Sequence, residues 1–232
     1  MPFMYYRFDP TYVLVIIGFI LSLIASFGVK MTFSKYDKIY NSRGLTGADA
    51  ARKILDAHGL QHVRIEHIAG NLSDHFDPKA NVVRLSESTY SSQSVGAIGV
   101  AAHECGHAIQ YATEYKPIKV RNTIVPVVNI GNALSMPLFF LGILLEAFGL
   151  ALAGAILFGL VLIFQLVTLP VEFNASSRAI KVLDGMAILD NEELSGSKKV
   201  LKAAAMTYVA GAVATALQFL RLLLIVNRRR RD

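Results

Sequence analysis

Long apolar runs without a single charge alternate along this chain with shorter polar stretches. The first run, Tyr12 to Val29, is rich in Leu, Ile and Val. A helix needs about 20 apolar residues to cross the hydrocarbon of a bilayer, so this run predicts a membrane span. A cleaved signal peptide is the competing reading. Its apolar region is usually only about 7–15 residues long, and Arg7 with Asp9 makes a weak positive flank; both points favour a retained anchor. Asn122 to Leu145 is charge-free, with Pro126, Asn129, Asn132 and Pro137 inside it, and Ala147 to Val171 is charge-free and Gly-rich. Together they predict a transmembrane hairpin whose tip lies about Glu146 and Gly149. Proline and asparagine are tolerated in a span when neighbouring helices meet the freed polar groups. A buried hairpin of a soluble protein would show the same pattern, but two adjacent runs this long favour the membrane. Ala203 to Leu220 is the fourth candidate; after it come Arg221, the apolar Leu222 to Val226, and a basic tail from Arg228 to Arg231. Arg221 is placed to snorkel to an interface.

The polar stretch from Met31 to Lys119 reads differently. Thr46-Gly-Ala-Asp49 resembles a capping box, with Asp where Glu or Gln is usual. Ala51, Ile54, Leu55 and His58 follow at helical spacing, and Gly59 is a plausible stop. Val63-Arg-Ile65 alternates like a short strand, Asp77-Pro78 marks a turn, and Val82-Val-Arg-Leu85 predicts a second strand. Ser94 is placed to cap a helix from Val95 to about Ala112. The pattern therefore predicts a mainly α membrane protein: a multi-span helical bundle with a small water-facing α+β domain.

Composition agrees. Hydrophobic residues make up 53% of the 232 and charged residues 17%, against about 25% charged in a typical soluble domain. The formal net charge is +6, but no nucleic-acid motif accompanies it. The cations gather instead beside the apolar runs, at Lys30, Lys35 and Lys38, at Lys116, Lys119 and Arg121, at Lys198, Lys199 and Lys202, and in the tail. That placement suits anionic lipid head groups, so the lipid bilayer is the expected partner and nucleic acid is not. The single cysteine, Cys105, rules out an intrachain disulfide.

The strongest chemical signal is His103-Glu-Cys-Gly-His107. On a helix, positions i and i+4 share a face, so both imidazoles can reach one ion, as zinc requires of ligands about 2 Å from it. Glu104 is rotated by about 100°, away from the ion itself but within reach of a water on it. Gly106 lies against the site, Gly99 would let another backbone or a substrate approach closely, and Cys105 faces away and packs. A catalytic zinc needs a third protein ligand and an open position. No histidine follows in the extended metzincin pattern, because Thr113 to Val120 contains none. The acids that could serve are Glu114, Glu146, Glu172, Asp184, Asp190, Glu192 and Glu193. Glu172 is best placed: it ends a span returning to the side of the His helix and opens a helical run to Ala179. The competing readings are a helix with two hydrogen-bonded histidines, a zinc-bound membrane scaffold without activity, and an ion carrier. The last needs ionisable groups inside spans, and here only Arg221 qualifies.

The chain also resembles the YugP-type neutral zinc metallopeptidases, a family of bacterial multi-pass membrane proteins. The likeness covers nearly the whole chain and rests on Thr46-Gly-Ala-Asp-Ala-Ala-Arg52, Asn71-Leu-Ser-Asp-His-Phe-Asp-Pro78, Val83-Arg-Leu-Ser86, Val100-Ala-Ala-His-Glu-Cys-Gly-His-Ala-Ile-Gln110, Pro170-Val-Glu-Phe-Asn-Ala-Ser176 and Val200-Leu-Lys-Ala-Ala-Ala-Met-Thr-Tyr208. It implies a gluzincin-like catalytic domain and a Glu on a later helix as third ligand, which maps onto Glu172. A more distant likeness is to the membrane proteases of the heat-shock and prenyl-protein-processing group. Those carry an Asp four residues after that Glu; here Ser176 stands there, with Asn174 between. A ligand histidine normally passes its other ring proton to an acceptor, and Asn174 or Ser176 could accept it.

The expected chemistry is hydrolysis of a peptide bond by zinc-activated water, with Glu104 as general base and then proton donor to the leaving amine. Zinc would sit on His103, His107 and Glu172. Tyr111, Arg178 and Tyr208 are candidates to stabilise the oxyanion. Val82 to Leu85 could be an edge strand that pairs with an extended substrate, or an ordinary core strand. Asp74, His75 and Asp77 could hold a second metal, although turn chemistry accounts for the aspartates. The expected substrate is a polypeptide, a membrane protein or a peptide near the membrane. The chain divides on this reading into an N-terminal anchor (1–30), a catalytic domain (31–121), a transmembrane hairpin (122–171), a third-ligand helix and connection (172–202), and a C-terminal transmembrane helix with its tail (203–232). Positive residues favour the cytoplasmic side, and their excess around the His helix predicts a cytoplasmic active site in the cell membrane, against the pull of the arginine tail.

Overall fold

The elements run α1 (Tyr12–Tyr36), α2 (Gly47–Ala57), β1 (Arg64–Ile68), β2 (His75–Asp77), β3 (Val82–Ser86), α3 (Glu87–Tyr90), α4 (Val95–Ala112), α5 (Lys116–Leu144), α6 (Phe148–Gly185) and α7 (Asn191–Arg229). The structure, a computed structural model, describes residues 9–229; Arg7, Arg230 and Arg231, invoked above as charged flanks, lie outside them. The chain is mainly helical with a small three-stranded sheet. Among the described residues, four helical stretches are long and apolar enough to cross a membrane: Tyr12–Tyr36, Lys116–Leu144, Phe148–Gly185 and Asn191–Arg228.

Each of these helices, α5 included, reaches beyond its apolar run. The extension matters most in α6. The sequence suggested a helix opening at Glu172; α6 instead passes through Pro170 and Glu172 without a break. The reason is a buried stripe that continues at four-residue spacing through Val171, Ala175, Ala179 and Leu183.

By internal contacts the described residues form two units, one made of residues 9–24, Ile124–Leu166 and residues 209–229, the other of Ala25–Thr123 and Val167–Tyr208. In the first unit Phe139, Ala151, Ala155, Leu222 and Val226 form a small core. Arg221, expected to snorkel to an interface, lies 3.9 Å from Asp9 and over the Tyr12 ring at 4.2 Å, at the N-terminal end of α1.

The second unit holds the sheet. Its strand order is β1-β3-β2, with β1 parallel and β2 antiparallel to β3. Val82 to Leu85 therefore belongs to the central strand and is not an edge. Val82, Val83 and Leu85 are fully buried, and strands on both sides take up the backbone hydrogen bonds of β3. The capping box forms as read: Thr46 accepts from Asp49 N, and the Asp49 carboxylate accepts from Thr46 N. Ser94 caps α4 by accepting from Ala97 N at 3.0 Å. Around α4, Ile54, Leu55, Val83, Leu85, Ile98, Cys105 and Leu183 make the main core. Small residues on α4 allow close neighbours: a β-carbon at Gly99 would stand 3.1 Å from Ser197 Cβ.

Candidate metal centre

One turn of α4 separates His103 from His107, and their ring centroids lie 4.8 Å apart. Across from them, α6 presents Glu172. Its Oε2 lies 3.4 Å from His103 Nε2 and 3.6 Å from His107 Nε2. The three ligand atoms fall within 4.8 Å of one another, and among the described residues no other His, Cys, Asp or Glu group converges in this way. Glu172 Oε2 is buried and accepts no hydrogen bond. A carboxylate oxygen in that condition is costly unless a cation meets it. Two imidazole nitrogens and one carboxylate oxygen are the donor set of a catalytic zinc site, so the residues fit the ion.

The outer hydrogen bonds orient both rings. His107 Nδ1 lies 3.0 Å from Gln110 Oε1, while Gln110 Nε2 donates to Val171 O at 2.8 Å and to Asn174 Oδ1 at 3.0 Å. A carbonyl can only accept, so the amide's orientation is set, and His107 must carry its proton on Nδ1. Its Nε2 lone pair then faces Glu172. His103 Nδ1 lies 3.1 Å from Ser176 Oγ. The sequence had named Asn174 and Ser176 as acceptors; Ser176 contacts a ring directly, whereas Asn174 acts through Gln110. Gln110 itself was missed. Its position three residues after His107, on the same helical face, was the available signal.

Burial works against a charged His107, but the neighbouring carboxylates of Glu172 and Glu104 and the Gln110 acceptor outweigh it and hold its pKa above the ordinary value. Burial pushes the Cys105 thiol far up, and its Sγ points to Ala51 O. It is a protonated packing residue.

Glu104 is 8% exposed and lines a cleft of about 240 Å³ together with His103, Glu172, Ser176 and Tyr208. Among the described residues its carboxylate forms no hydrogen bond or ion pair, which leaves it open to a water or a substrate. Of the three oxyanion candidates, only Tyr208 reaches this cleft. Arg178 donates to Asn174 Oδ1 at 2.8 Å and stacks over Tyr115. The Tyr111 hydroxyl accepts from Asn122 Nδ2 at 2.7 Å. The other acids proposed as third ligands are elsewhere: Glu114 pairs with Lys119 at 3.0 Å, Glu193 accepts from Ser42 N and Asp190 N, and Asp190 accepts from the backbone of Glu192 and Glu193. Asp74 accepts from Ser86, Asp77 from Lys79, Ala80 and Arg84, and His75 contacts Ser73 and Arg84. Turn and strand chemistry thus occupies the group suggested for a second metal.

Fold and site define a class: an apolar, mainly helical chain built around one candidate metal centre of two imidazoles and a carboxylate. Residues 11–227 match the family described as "Putative neutral zinc metallopeptidase", and the chain belongs to that family. A relative from Bacillus subtilis (strain 168), "Putative membrane protease YugP", is 47% identical over 205 residues, covering 88% of this chain and 91% of the relative. No solved structure matches the chain.

Proposed function

We propose that this chain is a membrane-embedded, gluzincin-like zinc endopeptidase that hydrolyses membrane or membrane-proximal proteins. The observation that carries the reading is the convergence of His103 Nε2, His107 Nε2 and an orphaned Glu172 Oε2 beside the unpaired Glu104 carboxylate. Bound by these three ligands, zinc would supply Lewis-acid polarisation of the scissile carbonyl and lower the pKa of a bound water to about 7.

The chain's own residues do the rest. Gln110 and Ser176 hold the rings with their Nε2 atoms aimed inward. Glu104 takes the proton of the attacking water and returns it to the leaving amine. Tyr208 donates a hydrogen bond from its hydroxyl to the oxygen on which negative charge develops, keeping its proton. Val29 and Phe33 of α1, with Val200, Leu201, Ala204 and Ala205 of α7, make the cleft wall apolar. That wall suits an apolar polypeptide, and it is contributed by helices of membrane-crossing length. With β3 central, an extended substrate would pair with β2, the strand at the edge nearest Asp74.

We place the site on the cytoplasmic side, as the lysines beside it favour. A reporter fused after Asp232 checks this: with four crossings it should report the opposite side.

The direct test compares zinc content and casein cleavage for detergent-purified wild type and Glu104→Gln. About one zinc in each, with cleavage lost by roughly 10²–10⁴-fold only in the variant, is the expected result. Equal zinc and unchanged cleavage would remove Glu104 from the mechanism. Zinc in both and cleavage in neither would favour a scaffold.

A further inference from the structure

A second cleft, of about 500 Å³, lies away from the metal centre, between the last turns of α1 and the early turns of α7. Met31, Thr32, Lys35 and Tyr36 line it from α1; Lys199, Lys202, Ala203 and Met206 line it from α7. Three lysines converge there without a carboxylate. Among the described residues none of the three forms an ion pair or a hydrogen bond. Lys35 Nζ and Lys199 Nζ instead rest over one ring, that of Tyr36, at 5.6 and 5.9 Å from its centroid. The acids near them in sequence are taken. Asp37 accepts from Ser94 Oγ, and Glu193 from the backbone of Ser42 and Asp190.

The helices meet antiparallel, since Tyr36 packs at Gly196 and Phe33 clusters with Val200. This sets the cleft's polarity. Met31 is four residues before Lys35 on α1, and Met206 four after Lys202 on α7, so each methionine stacks one turn from a lysine on the same face. Lysine and thioether groups therefore line the same cleft, with Lys35 and Lys199 toward one end, Met206 toward the other and Lys202 at the level of Met31. Met31 is 72% and Met206 46% exposed. A free inorganic anion would use the lysines and leave the methionines bare; a zwitterionic lipid would cover the methionines and leave the net charge unmatched.

We propose that this cleft binds an anionic phospholipid, its phosphate held by Lys35, Lys199 and Lys202 and an acyl chain laid over Met31, Ala203 and Met206. Basic pockets at the ends of membrane helices bind acidic head groups by this combination. The site is separate from the metal centre and does not depend on peptidase activity.

The test uses the full chain in a neutral detergent, titrated with acyl-labelled phosphatidylglycerol and, separately, phosphatidylcholine carrying the same label. Phosphatidylglycerol should bind on the order of tenfold or more tightly, since three basic residues meet its phosphate. K35Q/K199Q/K202Q should lose that preference. K35R/K199R/K202R should keep it, as should K30Q/K38Q, which removes neighbouring charges outside the cleft. Circular dichroism checks folding; if the triple glutamine variant is misfolded, Met206→Glu places an acid at an already exposed position and should lower the preference instead. Equal binding of the two lipids overturns the proposal, as does a folded triple variant that still prefers phosphatidylglycerol. Displacement of phosphatidylglycerol by millimolar inorganic phosphate overturns it too, because the site would then be one for a free anion.

Discussion

Gly106 on α4 lies against the backbone of Ala175 on α6, so closely that a β-carbon at Gly106 would stand 2.6 Å from the Ala175 carbonyl oxygen. His107 follows Gly106 directly, and Glu172 lies just under one turn before Ala175. The close helix crossing is what brings carboxylate and imidazoles together. Gly106→Ala must push the helices apart, at a cost of about 1–3 kcal/mol, and should lower zinc content as well as the unfolding temperature. Gly149→Ala, where no atom lies within 4 Å, is the control and should lower neither.

Gln110 and Ser176 act on the metal only through the rings they orient. Gln110→Ala and Ser176→Ala should each weaken zinc binding by about 10–100-fold, read by competition with a chelator. Gln110 is fully buried and also satisfies Val171 O, so its loss should additionally cost about 1–3 kcal/mol in unfolding experiments. Equal zinc affinity in wild type and both variants would remove them from the site.

Tyr208→Phe removes one hydroxyl and little volume. If that hydroxyl faces the developing oxyanion, kcat should fall by about 10²–10³-fold while zinc content and KM change little. A rise in KM with kcat preserved would instead make Tyr208 a substrate-binding residue.

Hydrogen bonds from the Thr46 hydroxyl and backbone hold the Asp49 carboxyl below its usual pKa. A carboxylate with a depressed folded-state pKa stabilises above its unfolded value, about 3.9, and the contribution is lost as pH falls through the folded pKa. Asp49→Asn should therefore be less stable than wild type at pH 7, and the gap should close as pH drops below about 4. Thr46→Ala should cost about 0.5–2 kcal/mol at neutral pH. Denaturant titrations at pH 7 and pH 3 check both.

Much of this was legible before any coordinates. Local rules suffice for the Thr46 and Ser94 caps, for the His103–His107 pair on α4 and for the apolar lengths of α1, α5, α6 and α7. Strand β2 was not legible, because it has only three residues and two of them, His75 and Asp77, read as turn chemistry. Its pairing with β3 depends on chain segments folding back, and that pairing moved Val82 to Leu85 from edge to centre. Tyr208 could not be told from Tyr111 or Arg178, since their partners Asn122, Asn174 and Tyr115 are met only in the folded chain.

By itself, then, the sequence determined the composition-driven quantities: helices long and apolar enough for a bilayer, and two imidazoles four residues apart on one helix with a carboxylate between them. Glu172 was already the preferred third acid; only tertiary structure decided how it converges on the two rings, which groups fix the ring protons, and which tyrosine shares the cleft. Helical periodicity is a property of neighbouring residues, while Glu172 reaches His103 and His107 only because Gly106 has no side chain to keep α6 away.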